Sequence, residues 1–145
     1  MGDTSVLVAG AYEQYGSVGI WVVVAAAAIL LAIRRLGGPR PGEYWMADVP
    51  FRSGDGSKDR PCYVVGRAGR NVRVLYVTSQ DRSGDNRYVR VDTSGWSGRV
   101  RGRTSWMQVA ERRGADPCLV VPRKAFRRRL ARASRAERRV VASVL

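Results

Sequence analysis

The sequence predicts a mainly β protein closed by a C-terminal helix, an α+β chain, preceded by one N-terminal transmembrane helix. Three observations carry this reading. Between residues 43 and 122, short runs of apolar and polar residues alternate and are separated by Gly-rich turns, as in a small barrel or sandwich. Ahead of them, Val18 to Ile33 reads VGIWVVVAAAAILLAI without a charge. After Pro122, apolar and basic residues recur at helical spacing. A chain of 145 residues has room for one domain of about 100 residues with a modest core, plus an appendage.

With Gly16 and Ser17 the uncharged run is 18 residues long. At ~1.5 Å per residue it spans ~27 Å, close to the ~30 Å of a hydrocarbon core. Asp3 and Glu13 precede it and Arg34, Arg35 and Arg40 follow. The positive-inside rule then puts the N-terminus outside and the rest of the chain in the cytoplasm, as a single-pass protein of the cell membrane. A secretory signal would need a basic segment before the apolar run, where this chain has acids. A buried core helix would rarely be apolar on every face. The expected organisation is a short extracytoplasmic N-terminus (1–15), the membrane helix (16–36), a Gly-Pro linker (37–42), the barrel (43–122) and a basic amphipathic helix (123–145).

Within the barrel, Glu43 to Val49 is the first expected strand and 51–60 (FRSGDGSKDR) a polar loop. Pro61 to Val65 is the second strand, and 66–71 (GRAGRN) a turn. Val72 to Ser79 alternates, with Val72, Val74, Tyr76 and Thr78 on one face and Arg73, Leu75, Val77 and Ser79 on the other. Tyr88 to Asp92, Thr104 to Glu111 and Cys118 to Val121 complete the set. Arg52-Ser53-Gly54-Asp55 recurs as Arg82-Ser83-Gly84-Asp85, which reads as repeated turn chemistry because the flanking strands differ. In the C-terminal helix, Phe126, Leu130, Ala133, Val140, Val141 and Val144 form a stripe. Lys124, Arg128, Arg132, Arg135 and Arg139 form a basic face, either solvated or lying on anionic lipid or RNA.

The net charge is +14, almost all from arginine. It suits a polyanionic partner, nucleic acid (RNA or DNA) or an anionic membrane surface, and it also fits the composition of a GC-rich genome. With no histidine in the chain, Ser-His and Cys-His catalysis and zinc deaminase chemistry are excluded. Cys62 and Cys118 lie in apolar runs without a CxxC, so they read as buried thiols and not as metal ligands or a disulfide.

Gly42-Glu43-Tyr44-Trp45-Met46-Ala47-Asp48, then Arg60-Pro61 leading into the second strand, then Thr78-Ser79 closing the third, stand in an order that resembles the PemK/MazF family of toxin endoribonucleases. The resemblance covers residues 41–130. It implies an SH3-like barrel, usually dimeric. It also implies cleavage of single-stranded RNA at preferred sequences without metal or cofactor, and an antitoxin protein as partner in a type II toxin–antitoxin pair. By resemblance, Arg60 and Thr78 take the cleavage site.

Metal-free RNA cleavage must deprotonate a 2′-hydroxyl, protonate the leaving oxygen and stabilise a pentavalent phosphorane. A guanidinium offers two parallel donors to the phosphorane, so Arg60 suits that task. Thr78 and Ser79 are placed to hold the scissile phosphate. The family carries an acid next to a Gln, then an Arg, on the strand matching Thr104 to Arg113. Here either Met107 stands in place of the acid beside Gln108, or Glu111 supplies it from a shifted strand. Glu111 is the candidate acid or base. Lys58 and Asp59 precede Arg60, where Lys58 borders the expected RNA groove and Asp59 is placed to pair with Arg60. Trp106, Trp96 and Tyr88 lie among Arg87, Arg90, Arg99, Arg101 and Arg103, a pattern that suits stacking and phosphate pairing with single strands. The RNA-binding set is Lys58, Arg103, Trp106 and Gln108. The alternative is a barrel without catalysis that binds nucleic acid or protein at the membrane. A structural membrane protein held by its basic helix is a third reading.

Overall fold

The computed structural model describes the backbone of residues 5–145 and the side chains of 18–33 and 37–145. Of the segment expected at 1–15, residues 1–4 and the side chains of 5–15 lie outside these described residues. The chain divides after Gly38 into two units. Among its described residues the first contains a single helix, α1 (Ser5–Leu36), which starts well ahead of residue 16. Every side chain from Val18 to Ile33 is exposed. Among the described residues no helix is long and apolar enough to cross a membrane. The side chains of 16, 17 and 34–36, which belong to the expected span, lie outside the described set.

In the second unit, seven strands form one antiparallel sheet: β1 (Glu43–Pro50), β2 (Ser57–Ala68), β3 (Asn71–Thr78), β4 (Tyr88–Val91), β5 (Ser105–Gln108), β6 (Leu119–Pro122) and β7 (Phe126–Arg132). Their order is β4-β5-β3-β2-β1-β7, with β6 also paired to β3. A short helix, α2 (Arg135–Val144), closes the chain. The mainly antiparallel sheet with a C-terminal helix matches the expected class.

The hairpin between β2 and β3 turns on Gly69-Arg70. Gly69 has φ 60° while Arg70 stays at negative φ, the pattern of a type II′ turn, which favours glycine first. Beyond it one edge of β3 is shared. Asn71 to Val74 pair with β6, and Val77 and Thr78 pair with β5. The predicted alternation of β3 holds. Val72 and Val74 enter a cluster with Ala47, Val49, Cys62, Val64 and Val121. Leu75 and Val77 enter a second one, with Tyr44, Tyr63, Met107, Leu130 and Val141. The sheet is thus apolar on both faces, which its period-two pattern allows when each face is covered.

Three expectations are corrected. The second strand starts at Ser57, not Pro61, because β1 and β2 stay in register out to Pro50↔Ser57. Trp96 is no surface stacker, since it is 3% exposed and packs on Tyr44 with ring centroids 4.8 Å apart. The segment 123–134 is not helical. After a short 3-10 turn it forms β7 against β1, with register shifts between Tyr44 and Trp45 and between Met46 and Ala47. Those shifts leave Leu130 and Arg127 unpaired on the bulged strand. The bulges break the period of two, and Phe126 and Leu130, four apart as on a helix face, pack in different clusters.

Helix α2 starts at a reciprocal cap. The Glu137 amide donates to Ser134 Oγ (3.1 Å) and the Ser134 amide to Glu137 Oε2 (2.7 Å). The Tyr44 hydroxyl also donates to Glu137 (3.1 Å). Burial, and then the Glu137 charge, push the Tyr44 phenol well above its ordinary range. Val141 seats the helix in the core.

Candidate active site

Pro61 has no N–H to give to a ladder, and the β2–β3 register ends at Cys62↔Tyr76. Past that point β2 continues only with β1, and β3 turns to β5. The gap between the diverging strands is a cavity of about 440 Å³. Lys58, Arg60 and Pro61 line one wall, and Tyr76, Thr78, Ser79 and Arg103 line the other. A second cavity of about 260 Å³ adjoins it, lined by Phe51, Arg52, Arg60, Tyr76, Arg87, Tyr88, Gln108 and Glu111. Arg60 and Tyr76 belong to both, so together they form the ridge of one groove.

Register places Arg60, Tyr76, Thr78, Tyr88 and Gln108 on one sheet face. Residues directly opposite in antiparallel strands share a side. Thr78 stands opposite Trp106, Trp106 opposite Arg90, and Gln108 opposite Tyr88. Tyr76 and Thr78 share their side of β3 with the apolar Val72 and Val74. The same face is therefore core at one end and polar groove at the other.

Arg60 is half-buried. Its guanidinium carbon lies 5.2 Å from the centre of the Phe51 ring and 5.4 Å from that of Tyr76. Such contacts are worth about 0.5–2 kcal/mol each, more as water is excluded. The Arg60 side chain makes no ion pair or hydrogen bond among the described residues, and its Nε is buried without a partner. Asp59 does not orient it. That carboxylate lies 4.0 Å from Arg127 instead. Two rings thus hold the cation while its donors stay uncommitted. Arg82 Nε and Trp106 Nε1 are also buried without acceptors, and Arg82 lies over the Tyr88 ring at 5.2 Å.

Thr78 ends β3, and its Oγ1 accepts the Gln80 amide at 3.2 Å. That fixes the rotamer and leaves the hydroxyl proton free. Ser79, Lys58 and Arg103 are exposed on the groove walls. Trp106 is half-buried and lines neither cavity, although it shares the face of Thr78.

Glu111 reaches the second cavity from beyond β5 and not from the strand itself. Its Oε2 accepts Gln108 Nε2 (2.8 Å) and Arg52 Nε (2.9 Å). Its Oε1 accepts the Arg112 amide (2.9 Å) and lies 3.9 Å from Arg87. The Arg112 amide first, then Gln108 and the two guanidiniums, hold its pKa below the ordinary carboxylate value. Glu111 therefore stays ionised at neutral pH and has no proton to donate. Gln108 is buried and spends its amide donors on Glu111 and on the Ala110 carbonyl (3.0 Å).

Of the residues expected from sequence, Lys58, Arg60, Thr78, Ser79 and Arg103 meet in the first cavity, and Arg60, Gln108 and Glu111 in the second. Phe51, Arg52 and Tyr76 are additions. Tyr76 was legible from its alternation with Thr78. Arg52 and Arg82, both from the repeated Arg-Ser-Gly-Asp turns, read as turn residues, and only the fold brings Arg52 to the second cavity and Arg82 over the Tyr88 ring. Among the described residues no three His, Cys, Asp or Glu side chains converge.

No family model matches the sequence, and no curated protein matches it. Among solved structures the chain is similar to the Mycobacterium tuberculosis toxin MazF-mt6. The identity is 16%, 69% of this chain and 90% of that chain are covered, and the TM-score is 0.48. The functional reading rests on the groove's own residues.

Proposed function

We propose that the second unit is an endoribonuclease of the toxin type that binds single-stranded RNA in this groove and cleaves it without a metal. One observation carries the reading. Arg60 is held between two aromatic rings, free of any carboxylate, on the ridge between two cavities, with Thr78 and Ser79 across from it. A cation fixed in advance and left unpaired is what a developing phosphorane needs, because no internal ion pair must break when charge appears. The Arg60 fork takes the phosphorane oxygens. The Thr78 and Ser79 hydroxyls hold the scissile phosphate. Lys58 and Arg103 bind flanking phosphates. Glu111, ionised and on the far side of the ridge, accepts the 2′-hydroxyl proton, and Trp106 offers a stacking surface beside Thr78. A homodimer and a covering antitoxin protein belong to the same reading.

The N-terminal helix is proposed as the anchor, with the second unit on the cytoplasmic side. The full chain should then stay with neutral-lipid vesicles through a high-salt wash, which strips proteins held by charge alone.

The test is cleavage of a long single-stranded RNA by the full chain in detergent with EDTA, beside Arg60→Ala and Thr78→Ala. Discrete cuts are expected, reduced roughly 10²–10³-fold in Arg60→Ala and about tenfold in Thr78→Ala, the worth of one hydrogen bond. RNA bound but uncut would instead mark a binding module. The saturated carboxylate of Glu111 favours that second reading.

A further inference from the structure

The groove has a candidate base and a phosphate clamp but no assigned proton donor. Arg60 cannot be deprotonated in a protein, and Glu111 is held ionised. Thr78 and Ser79 hydroxyls are too weakly acidic to serve. One pair of groove side chains is left. The Tyr76 and Tyr88 hydroxyls lie 2.7 Å apart, with their rings edge to face and centroids 6.3 Å apart. Among the described residues Tyr76 is the only phenol that lines both cavities, and its ring carries one side of the Arg60 guanidinium. A phosphate on Arg60 therefore lies beside it.

We propose that Tyr76 is the proton donor to the leaving oxygen and that Tyr88 is a positioning residue that donates to Tyr76. This rests on the RNA-cleavage reading above. Each hydroxyl has one proton. When Tyr88 donates to Tyr76, the Tyr76 proton is left free to point into the groove. Burial, and then the Tyr76 hydrogen bond, raise the Tyr88 phenol to about 12, so it keeps the proton that this arrangement needs. The ionised Glu111 lines the second cavity and Tyr76 stands on the ridge at its edge, so a base and a proton donor reach one groove.

The step balances. The 2′-oxygen forms a bond to phosphorus as its proton passes to the Glu111 carboxylate. The bond from phosphorus to the 5′-oxygen breaks, and that oxygen takes the Tyr76 proton. The products are a 2′,3′-cyclic phosphate and a 5′-hydroxyl. Tyr76 then regains a proton from solvent and Glu111 releases one.

The experiment compares two oligoribonucleotides carrying the preferred cut site, one ordinary and one with sulfur at the leaving 5′-position, whose thiolate departs without a proton. Full-chain wild type, Tyr76→Phe, Tyr88→Phe and Arg60→Ala are assayed against both across a pH series. Phenylalanine keeps each ring, so packing and the Arg60 contact survive, and a thermal melt checks that. On ordinary RNA, Tyr76→Phe should lose roughly 10²–10⁴-fold and Tyr88→Phe less. On the sulfur substrate both should return to near wild type, while Arg60→Ala stays slow on both. Ordinary cleavage unharmed by Tyr76→Phe, or harmed equally on both substrates, overturns the assignment and leaves the nuclease reading standing. Failure of the wild type on both substrates overturns the two together.

Discussion

Arg60 shows how a side chain keeps its charge available. Most arginines on this chain's folded unit have an acidic neighbour within reach or open solvent around them, whereas Arg60 has two rings and no acid. A ring face attracts the cation without using its N–H donors, so the fork remains free for phosphate. Lysine cannot reproduce that, because an ammonium lacks both the planar stack and the bidentate geometry. Arg60→Lys should therefore lower RNA cleavage by tenfold or more, about the worth of one charge-assisted hydrogen bond of ~1.5–3 kcal/mol, while the melting temperature changes little. Single-turnover rates and a melt separate the two effects. The carboxylates at the far end behave differently. The Arg87 hydrogen bond holds Asp85 down at about 2, and Glu111 is also lowered. Both folded values lie below the ordinary ~4 of a free carboxylate, so their contribution to stability is present above that range and is lost as pH falls towards 2. The stability gap between wild type and an Asp85→Asn, Glu111→Gln double variant should be largest near neutral pH and should close between about pH 5 and pH 2. Melts at stepped pH measure it, and a gap that ignores pH would show that these ion pairs do not link folding to protonation.

Elements were legible where their period was clean. Strands β1, β3 and β4 emerge from sequence within a residue or two, since each is a short apolar run bounded by polar turns. β2 was read short because Ser57 to Asp59 is polar and exposed, and its pairing to β1 depends on the partner strand and not on its own pattern. β7 was missed for a sharper reason. Two bulges removed its alternation, and the arginines that blunt this edge strand lined up as a basic helical face. The true start of α2 did have a local signal, Ser134 three residues ahead of Glu137, the spacing of a capping box. Its strength can be checked. Ser134→Ala should cost about 1 kcal/mol, and Ser134→Asp should restore most of that. Glu137→Ala should cost more than Ser134→Ala, since it also leaves the buried Tyr44 hydroxyl without its acceptor, a loss of about 1–3 kcal/mol. Denaturant unfolding of the three variants gives the order directly.

At the scale of the whole molecule the charge is divided unevenly. In the first 38 residues the charged side chains are Asp3, Glu13, Arg34 and Arg35, which cancel, so the entire excess of +14 belongs to residues 39–145. Composition alone could not say whether that excess is diffuse or organised. The fold separates the two. Many arginines form edge protection on β7 or ion pairs such as Arg73 with Asp116 at 2.9 Å, and neither needs a ligand. Lys58, Arg60 and Arg103 instead meet in one cavity, where the nearest acid, Asp59, is turned to Arg127. This local set, not the total charge, should govern RNA affinity. Each phosphate neutralised on a single strand contributes about −0.7 to the slope of log affinity against log salt. Lys58→Ala and Arg103→Ala should each flatten that slope by about 0.7, whereas Arg73→Ala, remote from the groove, should leave it unchanged while removing the same formal charge. Titrating a labelled single-stranded RNA against the full chain at several salt concentrations measures all four slopes. Equal flattening by Arg73→Ala would mean that RNA reads the net charge of the unit and not the groove, and the arrangement around Arg60 would then carry no preference for where the strand lies.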